Sequence, residues 1–241
     1  MRSGRRRAAI VALLVAVVCA AAGIFMLISD SAEEARYDRV EESARTASAD
    51  GSAVDMDAVA QSVPGAVAWL SVKNTSISYP VMQATGDDPE YYLDHDAWGG
   101  ASGDGTPFLD YRCSIDSGNM LVYGHHVIFT DRMFSPLYKA YRQDVLDAIG
   151  DAIWEDGTTQ AVFRPVMSMS QDASYSPIQR FSFTGQQDMC TWLTDLAQDA
   201  SAKVDGWESR IESAERTLTL VTCSSDISGR RMRTITVFVE E

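Results

Sequence analysis

Cysteine and histidine are scarce in this chain of 241 residues, with four of the first and three of the second. The scarcity excludes whole classes of chemistry. Cys113, Cys190 and Cys223 stand 77 and 33 residues apart, so neither a CxxC redox pair nor a compact zinc ribbon can be built from them. No metal and no cofactor is expected. Cys19 lies in an apolar run, which leaves three cysteines outside it, an odd number that keeps one thiol free unless it pairs between chains. Whether Cys113 and Cys190 pair is left open by their spacing. Basic residues are also few, 20 against 34 acidic ones, for a formal net charge of −14. That balance points away from nucleic acid and toward a solvated surface. Internal repeats are absent.

One long charge-free run stands out, the 21 residues from Ala8 to Ile28. At helical rise it spans roughly 30 Å, the thickness of a bilayer's hydrocarbon. Arg2, Arg5, Arg6 and Arg7 precede it and no basic residue follows until Arg36. The positive-inside rule then keeps the N-terminus cytoplasmic and exports the rest. The expected organisation is a cytoplasmic basic tail (1–7), a transmembrane signal anchor (8–28), a stalk or N-terminal helical segment (29–63) and one compact domain (64–241). A cleaved signal peptide is the other reading of the run, with Ala20-Ala21-Ala22 as its cleavage region.

Beyond Pro64 the pattern is mostly β. Val67–Val72 and Ser76–Val81 flank an Asn74-Thr75 turn, Met120–Tyr123 is an apolar strand, and Thr217–Cys223 and Thr234–Val239 alternate as half-buried strands do. Two helices interrupt the strands. Ser135-Pro136 supplies an N-cap and N1 proline for a short helix to about Tyr141. Thr184 and Gln187 make a capping-box pattern, after which Met189, Trp192, Leu193 and Leu196 share one face. Such a chain is expected to close into a barrel or sandwich.

Three residue types in this chain fit a nucleophilic thiol. A cysteine needs a base or a positive neighbour to ionise. His125 and His126 follow the apolar strand and Gly124, and adjacent residues on an extended chain point to opposite faces. Arg231 and Arg233 open the last strand two residues apart, where a guanidinium can steady an oxyanion or hold a substrate backbone. Taken singly, each is a common structural feature: a buried inert cysteine, a structural histidine pair, a solvated arginine face. A papain-like order is excluded, because there the cysteine precedes the histidine.

The combination resembles the sortases, membrane-anchored cysteine transpeptidases of Gram-positive bacteria. Thr219-Leu220-Val221-Thr222-Cys223 matches the T-L-x-T-C motif, Arg233 follows ten residues on, and Gly124-His125 matches the family's histidine context. Class B members resemble it further across Trp69–Val81, Tyr91–Arg112 and Tyr123–His125, so the likeness covers roughly residues 65–241. The resemblance implies a closed eight-stranded β-barrel with N-terminal helices and a helix before the penultimate strand. It implies Cys223 as nucleophile, His125 as acid and base, and Arg233 as the substrate- and oxyanion-binding arginine, with Arg231 the alternative and Thr222 assisting. His126 stands where class B relatives commonly carry asparagine, and His95 falls outside any catalytic motif. The implied activity, of the hydrolase class, cleaves a C-terminal sorting motif of exported proteins and passes the acyl group to an amine. That amine is a peptidoglycan cross-bridge, with a pilin lysine as the alternative acceptor. The implied location is the cell membrane, single-pass, with the catalytic domain outside. A membrane-tethered β-domain that only binds a partner is the competing reading of another class.

Overall fold

Strand-forming residues dominate the chain after residue 65, and hydrogen bonding decides how they close. The computed structural model describes residues 2–48, 53–223 and 231–241; the side chains of 2–12, 22, 24–30 and 223 lie outside the described set. The chain divides into two units, Met1–Glu42 and Ser43–Glu241. Helix α1 (Arg2–Ala47) dominates the first. Among the described residues no helix is long and apolar enough to cross a membrane. The expected anchor at 8–28 falls largely on residues whose side chains lie outside that set.

The second unit begins with α2 (Met56–Ser62), capped by the Asp55 carboxylate on Asp57 N and Ala58 N, with Val59 buried. Among the described residues nine strands follow: β1 (Ala66–Val72), β2 (Ser78–Gln83), β3 (Phe108–Leu109), β4 (Asn119–Tyr123), β5 (Ala152–Glu155), β6 (Gln160–Asp172), β7 (Ala202–Lys203), β8 (Arg216–Cys223) and β9 (Met232–Glu240). Helix α3 (Gln143–Leu146) precedes β5, and α4 (Gln186–Asp199) and α5 (Trp207–Ser213) flank β7. The order β5-β1-β2-β3-β4-β8-β9-β6 closes through a β5–β6 pairing, and β7 adds to the side of β6. Eight strands therefore make the ring, and closure removes the edges that an open sheet would expose. Trp69, Trp154, Phe163 and Phe238 are fully buried in this unit. Each such side chain stabilises the fold by about 2–3 kcal/mol through burial alone.

Three local readings need correction. The Ser135 helix is a 3-10 turn of three residues, Ser135–Leu137. The Ser135 hydroxyl accepts from Val127 N at 2.8 Å, so it holds a neighbouring loop instead of capping a helix. At α4 the N-cap is Gly185 without a side-chain bond. Asp188 reaches back to Thr184 N at 2.9 Å, replacing the Thr184–Gln187 box. The apolar face is as expected, with Met189, Trp192, Leu193 and Leu196 all buried. Strand β6, 13 residues long, is missing from the sequence reading. Pro165 interrupts its pattern and sits at a register shift, where the ladder tolerates a missing N–H.

Asn119 fixes the register of β4 on β8. Its amide nitrogen donates to Ile178 O at 2.8 Å and Arg180 O at 3.0 Å. Its Oδ1 accepts from Thr217 and Thr219 at 3.1 and 2.9 Å. With the residue fully buried, Asn119→Ala strands two carbonyls and the Thr219 hydroxyl, while the Thr217 hydroxyl keeps Gly118 O at 3.1 Å. The expected loss is about 3 kcal/mol of unfolding free energy, read by urea denaturation with an unchanged m-value.

Candidate active site

Strands β4 and β8 run parallel, with Tyr123 opposite Val221, so both chains leave the sheet at the same end. Gly124 N still bonds Val221 O at 3.1 Å, which carries the pairing one residue past the strand. Position 125 is thus brought level with position 223 on neighbouring strands about 5 Å apart. On the other side β9 is antiparallel, and Arg233 lies directly opposite Cys223. His125, Cys223 and Arg233 converge at one end of three adjacent strands.

The two histidines part company as neighbours on an extended chain do. His125 Nε2 lies 2.7 Å from Leu93 O, at the end of the 3-10 turn Tyr91–Leu93. His126 stacks on Tyr138 with ring centroids 4.1 Å apart and planes 3° from parallel. Glycine is required just before them, at 124, because a Cβ there would lie 2.6 Å from the Phe134 ring. His95 is distant in role: its Nδ1 meets Tyr91 O at 2.8 Å and Asp94 Oδ1 at 2.6 Å, and its ring stacks on Tyr91.

The arginines separate as well. Arg231 makes a two-pronged ion pair with Asp172 at 3.2 and 3.1 Å on the exposed surface. Hydrogen bonds from Arg231 and Ser174 hold the Asp172 carboxyl well below the usual range. Arg233 instead lines a cavity of about 360 Å³ together with Glu90, Leu93, Asp110, Arg112 and Tyr123. Thr222 reaches the same strand end, but its residue is 2% exposed and its hydroxyl is buried without a hydrogen bond among the described residues. It is not among the residues that line the cavity. The side chain of Cys223, and the whole of Arg230, lie outside the described residues. A larger hollow of about 650 Å³ lies around Gly118 and Met189 and contains none of the candidates.

Sequence reasoning did not single out the polar wall of the cavity. Arg112 grips Asp110 through Nε at 2.8 Å and NH2 at 2.6 Å, and the Tyr123 hydroxyl donates to Asp110 at 3.3 Å. Burial raises the Asp110 pKa, yet the Arg112 bonds outweigh it and the carboxyl ends below its ordinary value. Burial pushes the Tyr123 phenol up in turn. Charge and hydroxyl are thereby committed to one another, leaving a rigid wall. The only signal in the sequence was Asp110 two residues before Arg112.

Neither Cys113 nor Cys190 is in a disulfide. Cys113 is buried, and burial pushes its thiol up to about 11. It is expected to resist iodoacetamide at pH 8.5 in the folded protein while half-exposed Cys190 reacts, as peptide mapping would read. The same shift sets a sign for stability. Because the folded value lies above the ordinary value of about 9, the contribution is complete below pH 9 and is lost as pH rises toward about 11.

The Staphylococcus aureus sortase B–substrate complex superposes with a TM-score of 0.74 at 21% identity, covering 89% of this chain and 98% of that one. Clostridium perfringens sortase B gives 0.63 at 25% identity, over 74% and 94%. In sequence, sortase B of Listeria monocytogenes is 27% identical over 164 residues, 66% of this chain. This chain has the sortase fold and resembles sortase B. It spans 63% of the length of that Listeria sortase B. No family model matches.

Proposed function

We propose that this chain is a membrane-anchored, class B-like sortase. The observation that carries the reading is the register of β4, β8 and β9, which brings His125, Cys223 and Arg233 to one strand end beside a cavity. In this reading the Cys223 thiolate attacks the carbonyl of a threonine in a C-terminal sorting motif. His125 protonates the leaving amine, and a thioacyl enzyme forms. An incoming amine then gives its proton to His125 and takes the acyl group, releasing the Cys223 thiolate. A peptidoglycan cross-bridge is the favoured acceptor and a pilin lysine the alternative. The N-terminal run 8–28 holds the domain on the outer side of the membrane, where exported substrates emerge.

Arg233 is the arginine of this site, since it lines the cavity and faces position 223, whereas Arg231 is engaged by Asp172. Arg233→Ala is expected to slow thioacylation roughly 10²–10³-fold. Arg231→Ala should change it less than about threefold, because an exposed ion pair contributes little. The reverse ranking in single-turnover kinetics would exchange the two assignments.

The test of the whole reading is intact-mass spectrometry of the full-length protein after incubation with a library of sorting-motif peptides. A thioacyl adduct that needs Cys223 supports it and reveals the motif. Peptide binding without any adduct would favour the binding module instead.

A further inference from the structure

His125 is held from two sides, and neither holder belongs to the strand that carries it. Its Nε2 lies 2.7 Å from Leu93 O. A carbonyl only accepts, so Nε2 bears a proton and Nδ1 is the nitrogen whose proton changes during a reaction. The carbonyl is set in place by the segment 102–106. Ser102 N donates to Asp94 O and Thr106 N to Tyr92 O, both at 2.9 Å. Between these bonds Gly105 has a φ of 61°. A Cβ on it would lie 2.5 Å from Tyr92 O, 2.9 Å from Leu93 O and 3.0 Å from His125 Cδ2. Two of those atoms are backbone and the third is the histidine itself, so only glycine lets the segment seat there.

The second hold is an ion pair. Asp104 Oδ2 meets Arg132 NH1 at 2.5 Å, with side chains only 12% and 15% exposed. Arg132 lies on the return of the loop that leaves His125, where Phe134 N donates to His125 O at 2.9 Å and Ser135 N to Arg132 O at 3.0 Å. His126 and Met133 bridge the same loop. The ion pair therefore ties the histidine's own loop to the segment that places its carbonyl partner.

We infer that Asp104, Gly105 and Arg132 are positioning residues that select the Nε2-protonated tautomer of His125 and aim its Nδ1 at the reacting groups. The inference rests on the reading of His125 as the site's acid and base. An imidazole free to rotate or change tautomer would spend part of its time with the wrong nitrogen toward the thiol. Loss of one ion-pair partner leaves the other charge mostly buried, so the loop has reason to shift.

The test uses full-length protein labelled with ¹⁵N in its three histidine rings, assigned with His95→Gln, His125→Gln and His126→Gln. Wild type is expected to show the Nε2–H pattern for His125 at alkaline pH. Asp104→Asn and Arg132→Gln should convert it to a tautomer mixture and lower the turnover of thioacylation about tenfold or more, with peptide KM within about twofold. Arg132→Lys should recover most of both. Gly105→Ala is expected to act more strongly, and the ion-pair variants carry the test if it fails to fold. An unchanged tautomer in both ion-pair variants overturns the inference, whether or not the rate falls, and so does a changed tautomer with an unchanged rate. A tautomer lost in the variants of a protein whose wild type never forms a thioacyl adduct supports the positioning device and sinks the transpeptidase reading separately.

Discussion

Cys223→Ala is expected to abolish thioacyl-enzyme formation, a fall of roughly 10⁴-fold or more in single-turnover rate. Acyl transfer through a covalent intermediate requires a nucleophile, and no other cysteine can substitute: Cys19 lies on α1 in the first unit, Cys113 is buried with its thiol pushed up to about 11, and Cys190 lies on α4. Folding should be nearly untouched, because the backbone at 223 keeps its pairing with Arg233 in either variant. Two measurements on one sample check both halves, intact mass for the adduct and circular dichroism for the fold. An adduct persisting in the folded variant would place the nucleophile elsewhere.

The second large effect belongs to the histidine. His125→Gln keeps a nitrogen donor able to reach Leu93 O, yet it has no group that can exchange a proton near neutral pH. Loss of positioned acid–base chemistry costs typically 10²–10⁴-fold, so thioacylation should fall by that amount with peptide affinity nearly unchanged. His126→Gln is the control. It removes a ring stacked on Tyr138, which lowers stability by about 1 kcal/mol while leaving turnover within about threefold. Pre-steady-state kinetics on the pair decides between them: if His126→Gln produced the large loss, the tandem would have to be reassigned.

The tandem shows how far a single sequence carries this kind of reading. The resemblance of Gly124-His125 to the family's Gly-His context singled out His125, but Leu93 is 32 residues upstream and no local pattern joins the two. Arg231 and Arg233 share parity along the chain and look equivalent. Asp172, at the end of β6, engages Arg231, while the pairing of β9 with β8 sets Arg233 opposite position 223 at the cavity. Strand β6 was itself invisible because Pro165 breaks the alternation that marks a strand, and a bulge that absorbs a proline exists only when the partner strand is present. Ser135 looked like a helix cap until Val127 claimed its hydroxyl. In each case two chemically sound local options competed, and a residue distant in sequence chose between them.

What the amino-acid order determined by itself is the chemistry on offer: a thiol at the end of an alternating strand, an arginine opening the next, a glycine before a histidine, and an apolar face on α4. Those depend on side-chain type and on periods of 2 and 3.6 residues, which are local properties of any chain. The tertiary structure decided which members of each pair are used and how they are held. Parallel pairing of β4 with β8 made positions 125 and 223 neighbours, and the close approach allowed by Gly105 gave His125 its carbonyl. Such juxtapositions are long-range packing outcomes, set by barrel closure and loop contacts, which local periodicity does not encode.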